Sequence, residues 1–182
     1  MASTGEVACF GVDAHEAFLK ALVSTGFKIP KKTIALSIQA GLLEEVVHHV
    51  WTLHTLGFEL LATPETYPFL EAKGIPCKLV KNADSTETPN IKTLISNANI
   101  DLVVNLRDVT GVSEARTNYL TRRTAVDFGV PLLTNAQLFI MFTQSLQKLK
   151  QGKFQFGEVR NFSSPSPSPS GCPTHFPHHH TS

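Results

Sequence analysis

The sequence predicts an α/β fold in which a parallel sheet carries helices on both faces, and two observations support this. Five short apolar runs alternate with stretches whose apolar residues recur at helical spacing, the pattern of strands buried on both sides by crossover helices. The runs also end in hydroxyl and amide residues, at Ile38-Gln39, Ala62-Thr63, Val80-Lys81-Asn82, Asn105 and Thr134-Asn135. In such sheets ligands sit beyond the carboxyl ends of the strands, so those residues outline a binding site.

The elements follow in order. Thr33–Ile38 (TIALSI) is the first strand, and Leu43, Val46, Val47, Val50 and Leu53 recur at helical spacing up to Gly57, a helix stop. Phe58–Leu61 reads as the second strand. Thr63 and Pro64 open a short helix through Leu70 to Lys73, with the threonine as N-cap and the proline at the first helical position, where its missing N–H costs nothing. Cys77–Val80 is the third strand, and Pro89 starts a helix carrying Ile91, Leu94 and Ile95. Asp101–Val104 makes the fourth strand, Glu114–Asp127 a helix, and Pro131–Leu133 the fifth strand. Asn135 caps a last helix in which Leu138, Phe139, Phe142, Leu146 and Leu149 form one apolar stripe.

This core spans about residues 31–150, the size of one ordinary domain. Residues 1–30 show a helical pattern at Ala17, Phe18, Ala21, Leu22 and Val23 with no strand partner, which reads as an arm outside the core. Beyond Phe162 runs a Ser/Pro repeat, within a segment 151–182 too poor in apolar residues to fold and expected to be disordered. An unstructured tail gives His178, His179 and His180 no fixed geometry for a metal.

Composition removes several function classes. Of 182 residues, 42% are hydrophobic and 17% charged, a globular balance. Sixteen Lys and Arg against fifteen Asp and Glu leave a formal charge of +1 with no dense basic run, which disfavours nucleic acid and anionic membranes as partners. No apolar run approaches the roughly 18 residues of a membrane span. Met1–Glu6 is neither a basic region leading an apolar one nor an Arg-rich transit peptide, so the chain as written reads as cytoplasmic. Cys9, Cys77 and Cys172 are odd in number and widely spaced, which argues against a disulfide or zinc framework.

The chemistry gathers at the strand ends, where the inferred pocket is polar and nearly uncharged. Thr63 and Thr66 flank a helix start, whose free N–H groups favour a phosphate or carboxylate. An amide after a buried strand, Asn105, and another early in the next helix, Asn118, can converge on one spot; the alternative is that all four merely cap helices and satisfy loops. His48, His49 and His54 lack the i, i+4 step of paired metal ligands and read as solvated. Arg122-Arg123 suits either an anion or surface carboxylates. No nucleophile, base and orienting group are spaced as a triad, there is no Gly-rich phosphate loop, and no cofactor is expected.

Four stretches, STGFKIPKKT (24–33), LATPET (61–66), IDLVVNL (100–106) and NYLTRRTAVDFGVPLLTN (118–135), give the chain a family likeness. Together they resemble the methylglyoxal-synthase-like domain that ends the large subunit of carbamoyl-phosphate synthases, most closely the ammonia-dependent, N-acetylglutamate-regulated type. MASTGEVACFG (1–11) resembles the end of an ATP-grasp unit of the same enzymes. The resemblance implies a three-layer α/β/α sandwich with a five-stranded parallel sheet. It further implies an allosteric role in carbamoyl phosphate supply for the urea cycle, arginine or pyrimidines, without catalysis by this chain, acting on synthase catalytic domains or on a second copy. A mitochondrial matrix location follows if the ammonia-type parent is the guide.

On this resemblance Thr63, Thr66, Asn105 and Asn118 match effector-binding positions. Lys81-Asn82 stands where the family has a tryptophan, and Asp108 where it has an asparagine; a carboxylate there repels a dicarboxylate ligand. The implied effector is a small anion, N-acetylglutamate first and UMP second. The rival readings are a small lyase of the methylglyoxal synthase type and a truncated remnant. Against the lyase, Ser37-Ile38-Gln39-Ala40 lacks the family's phosphate-gripping lysine, and Thr86–Asn90 lacks its Gly-Gly-Asp turn.

Overall fold

The structure, a computed structural model, describes residues 7–107 and 112–154. Its elements are α1 (Ala14–Ser24), β1 (Thr33–Ile38), α2 (Ala40–Thr55), β2 (Glu59–Ala62), α3 (Tyr67–Ala72), β3 (Lys78–Leu79), α4 (Ile91–Ser96), β4 (Leu102–Leu106), α5 (Val112–Asp127), β5 (Leu132–Leu133) and α6 (Ala136–Lys150). The five strands form one sheet in the order β3-β2-β1-β4-β5, and every pairing is parallel.

The strand side chains alternate between two apolar layers, as the period of two requires. Ile34, Leu36, Ile38, Leu60, Leu102 and Val104 point into a core shared with Leu19 of α1, Val46 and Val50 of α2, and Phe139 and Phe142 of α6. Ala35, Leu61 and Val103 point the other way, against Ile91 and Ile95 of α4 and Ala125 of α5. The fold is therefore the expected three-layer α/β/α arrangement. Each fully buried Leu, Ile or Phe of these layers is worth about 1.5–3 kcal/mol of transfer free energy.

Local signals set most boundaries. Gly57, at φ +90°, lets the chain turn sharply after α2 into β2. Asn135 caps α6 by accepting a hydrogen bond from Leu138 N–H, as its sequence position predicts. Asn90, one residue after the expected helix-opening proline, caps α4 through a reciprocal bond pair with Thr93.

Three expectations change. β4 runs on to Leu106 instead of stopping at Val104, because β1 extends to Ile38 and pairs Ser37 with Asn105 and Ile38 with Leu106. Asn105 thus lies within the strand, not after it. α3 begins at Tyr67 and not at Pro64, with Pro68 as the proline of its first turn. The third is α1, which the lack of a strand partner had set apart as an arm. A helix needs only an apolar face to dock, and α1 packs on α6. Leu19 is 0% exposed in the main core, and the Phe27 ring meets Phe142 edge-on at 5.5 Å. The Ser/Pro tail with His178, His179 and His180 lies outside the described residues, as does Asp108.

The α1–α6 contact is closed by an ion pair. Asp13 accepts from the His15 and Glu16 N–H groups at the start of α1 and pairs with Lys148 Nζ at 2.6 Å. The Lys148 hydrogen bond, with the Glu16 N–H behind it, lowers the Asp13 carboxyl from 3.8 to about 2. A depressed acid stabilises the fold fully above its unfolded value and loses that contribution as pH falls through the folded one. The Asp13 share of stability is accordingly expected to vanish between about pH 4 and pH 2, and the Asp13→Asn variant to show a flatter stability profile over that window in urea titrations. Leu19→Ala is expected to cost about 2–5 kcal/mol in the same assay, whereas a loosely attached arm would leave stability unchanged.

Candidate functional site

Polar residues meet at the carboxyl edge of the sheet in two groups. The first closes the end of β2. Thr63 N–H donates to Leu36 O at 3.0 Å, continuing the β1 ladder by one step, and the turn 63–66 then folds back over β1. Ile38 N–H donates to Thr66 Oγ1 at 2.9 Å, and the Thr66 hydroxyl lies 3.2 Å from Ile38 O and 3.1 Å from Thr63 Oγ1. Both threonines are buried. Thr66 is thus committed to the β1 backbone. α3 is six residues long and carries no side-chain cap.

The second group belongs to β4 and α5. Asn105 is 0% exposed and Asn118 3%. Asn105 Nδ2 donates to Asn118 Oδ1 at 3.3 Å, and Arg122 Nε donates to Asn105 Oδ1 at 2.9 Å. Arg122 also reaches Arg107 O at 3.2 Å. An arginine has no acceptor, so it fixes which end of the Asn105 amide faces it. Asn105 must then present Nδ2 to Asn118, and Asn118 must answer with Oδ1. Among the described residues the Asn118 Nδ2 group is left buried without a hydrogen-bond partner.

One strand, β1, separates the two groups, which places them about 10 Å apart at two interstrand steps. Arg107, the residue after β4, spans the gap. Its Nη2 pairs with Glu65 Oε2 at 3.1 Å, while Asn82 Nδ2 donates to Glu65 Oε1 at 2.9 Å. The Arg107 side chain is 8% exposed and that of Glu65 46%. Among the described residues Arg107 Nε is the second buried side-chain polar atom without a partner. Partial burial works to raise the Glu65 pKa, but the hydrogen bond from Asn82, with help from the Arg107 charge and the Thr63 hydroxyl, holds it below the ordinary 4.5.

The structure therefore places Thr63, Thr66, Asn82, Asn105 and Asn118 at one edge and joins them in pairs and chains, while Asp108 lies outside the described residues. Sequence reasoning missed Arg107 and Glu65 and undervalued Arg122. The pocket is charged, not nearly uncharged. Arg122 follows Asn118 by four residues, the helical step that puts two side chains on one face. Arg107 follows Asn105 by two, the step that returns a strand to the same side. Arg123 behaves as a surface residue, pairing with Asp127 at 2.9 Å. Among the described residues no three His, Cys, Asp or Glu gather as metal ligands. A groove of about 340 Å³ lies at the opposite end of the sheet, between Thr33, Glu59, Lys78, Leu94 and Asn99, and shares no residue with this edge.

The chain of bonds separates two neighbouring arginines. Arg122→Ala strands the buried Asn105 Oδ1 and should cost about 1.5–3 kcal/mol in chemical denaturation, the range for a hydrogen bond to a charged group. Arg123→Ala should stay within about 0.5 kcal/mol, as exposed i, i+4 pairs do.

Comparison with known proteins gives a consistent set. Residues 45–134 match the family model described as MGS-like domain. Over 155 residues the chain is 43% identical to the mitochondrial carbamoyl-phosphate synthase [ammonia] of Homo sapiens, covering 83% of this chain and 10% of that protein. It is 43% identical over 149 residues to the multifunctional protein pyr-3 of Neurospora crassa, covering 75% and 8%, and 38% identical over 158 residues to the multifunctional protein URA2 of Saccharomyces cerevisiae, covering 81% and 7%. The chain thus spans a tenth or less of these relatives. A solved methylglyoxal synthase from Elizabethkingia anophelis is similar at a TM-score of 0.47 and 21% identity, covering 61% of this chain and 77% of that one.

Proposed function

Since this chain belongs to the MGS-like domain family, homologous to the regulatory domain of carbamoyl-phosphate synthase and to part of the fungal multifunctional proteins, we propose that it binds a small anionic effector at the carboxyl edge of its sheet and performs no chemistry of its own. The observation that supports this most is the pair of buried donors without partners, Arg107 Nε and Asn118 Nδ2. A buried donor left unpaired costs about 1–3 kcal/mol, and two on one edge favour a ligand bearing acceptor oxygens. A carboxylate or phosphate fits because the Arg107 and Arg122 guanidinium groups supply charge where water is largely excluded.

N-acetylglutamate is the first candidate, by resemblance to the ammonia-dependent type, and UMP the second. The effector's contacts with Asn105 and Asn118 act on β4 and α5, while Thr66 ties β1 to the turn before α3. Regulation requires that the ligand bind one state of a larger assembly better than another. The partners in that assembly are the catalytic domains of a carbamoyl-phosphate synthase, in the mitochondrial matrix if this chain follows its ammonia-type relatives. By the resemblance Asp108 replaces a family asparagine, and its carboxylate weakens N-acetylglutamate relative to UMP.

Thermal denaturation with each ligand tests the reading. A bound effector at a hundredfold excess over Kd adds about 2.7 kcal/mol to folding stability and raises Tm. Asn118→Ala should remove about 1–3 kcal/mol of binding. Asp108→Asn should strengthen N-acetylglutamate and leave UMP less affected. With dihydroxyacetone phosphate the chain should form no methylglyoxal above a buffer blank. Absence of a Tm shift with either ligand at millimolar concentration, or turnover above blank, overturns the proposal.

A further inference from the structure

We propose that Glu65 is a tethered competitor for the anionic ligand, a carboxylate of the chain itself that holds Arg107 until an incoming carboxylate or phosphate displaces it. This rests on the effector-pocket reading and adds to it the group that grips the charge and the group that opposes the grip.

The geometry has three parts. The buried partner is the arginine and the exposed one the acid, with side chains 8% and 46% exposed. Glu65 therefore sits over Arg107 from the solvent side, where a ligand arrives. Next, the contact is one-handed. Glu65 gives Oε2 to Arg107 Nη2 and Oε1 to Asn82, and Arg107 Nε keeps no partner. A free carboxylate or phosphate can present two oxygens side by side to Nε and the adjoining terminal nitrogen, the forked geometry in which guanidinium binds anions most strongly. Glu65, fixed in the short turn 63–66, leaves that fork half used. Finally, displacement costs Glu65 little, since it is already exposed and keeps the Asn82 hydrogen bond.

A tethered carboxylate also screens the pocket. Arg107 is a fixed buried charge, and pairing it internally avoids leaving an uncompensated cation when no ligand is bound. Only an anion that outbids a monodentate carboxylate by forking across Arg107, or by adding a contact to Asn118, gains entry. Neutral and cationic metabolites gain nothing from the exchange.

Titration calorimetry with inorganic phosphate, N-acetylglutamate and UMP as probes tests this on the full chain, Glu65→Gln, Arg107→Gln and the double variant. Glutamine at 65 keeps an acceptor for Asn82 and loses the charge. Glu65→Gln should lower the Kd of at least one probe fivefold or more, and Arg107→Gln should erase that gain in the double variant. The probe that responds distinguishes a simple phosphate site from a carboxylate or nucleotide site. Where circular dichroism shows Glu65→Gln unfolded, Glu65→Asp, one methylene shorter, should tighten binding in the same direction. Unchanged or weaker binding in the folded Glu65 variants, with the wild-type chain still binding a probe, overturns the competitor and leaves the effector pocket standing. Failure of every probe to bind every variant overturns both.

Discussion

Two strands buried on both faces, β1 and β4, fix the terms for the rest of the structure. Every residue of each is buried, so any polar side chain they carry has to find its partner inside the protein. Asn105 is the clearest case. Water cannot serve it, and the sheet leaves its amide facing α5. Asn118 and Arg122 on that helix supply the partners, and the position of α5 over the sheet is tied to the needs of one amide. The Thr66 hydroxyl answers a similar need at the end of β1, where the Ile38 N–H has run past the last rung of the β1–β2 pairing.

Charge placement follows from the same exclusion of water. Arg107 and Arg122 are held by a carboxylate, an amide and a backbone carbonyl, all near the end of a buried strand. In such surroundings a charge interacts more strongly than it would in bulk solvent, but it also has to be matched. The result, among the described residues, is an edge with two buried donors that no acceptor meets. On the effector reading proposed above, this imbalance, more than the shape of any cavity, is what would favour an oxyanion.

Much of this was legible in the sequence and some was not, for identifiable reasons. The apolar runs of β1 and β4 and the stripes of α2 and α6 announce themselves by period, because burial on a sheet or in a helix face enforces that period. Asn135 and Gly57 act through short-range geometry, so position alone reveals them. α1 escaped because docking of a helix on a helix leaves no mark in strand order; its evidence is the fit of Leu19 and Phe27 against α6, which is tertiary. Thr63 reads in the sequence as the cap of a helix opening at Pro64, since a hydroxyl before a helix usually is one, whereas the helix starts at Tyr67 and the Thr66 hydroxyl serves the neighbouring strand end. Arg107 and Glu65 lie 42 positions apart, and nothing local links them until the sheet order places β2 and β4 on either side of β1. The family resemblance located the threonines and asparagines, whereas these two charges had to be read from the folded chain.

The dependence of both amides on Arg122 carries an evolutionary corollary. Arg122 sets the orientation of Asn105, and through it of Asn118, so that Asn118 offers a donor. A glutamine or histidine in its place, able both to give and to accept, would free Asn105 and then Asn118 to rotate. On the effector reading, the edge would then no longer distinguish an oxyanion from an amide or an amine. A single substitution at 122 is therefore, on that reading, a route by which paralogues of this domain could exchange one class of metabolite for another while Asn105, Asn118 and Arg107 all stay the same.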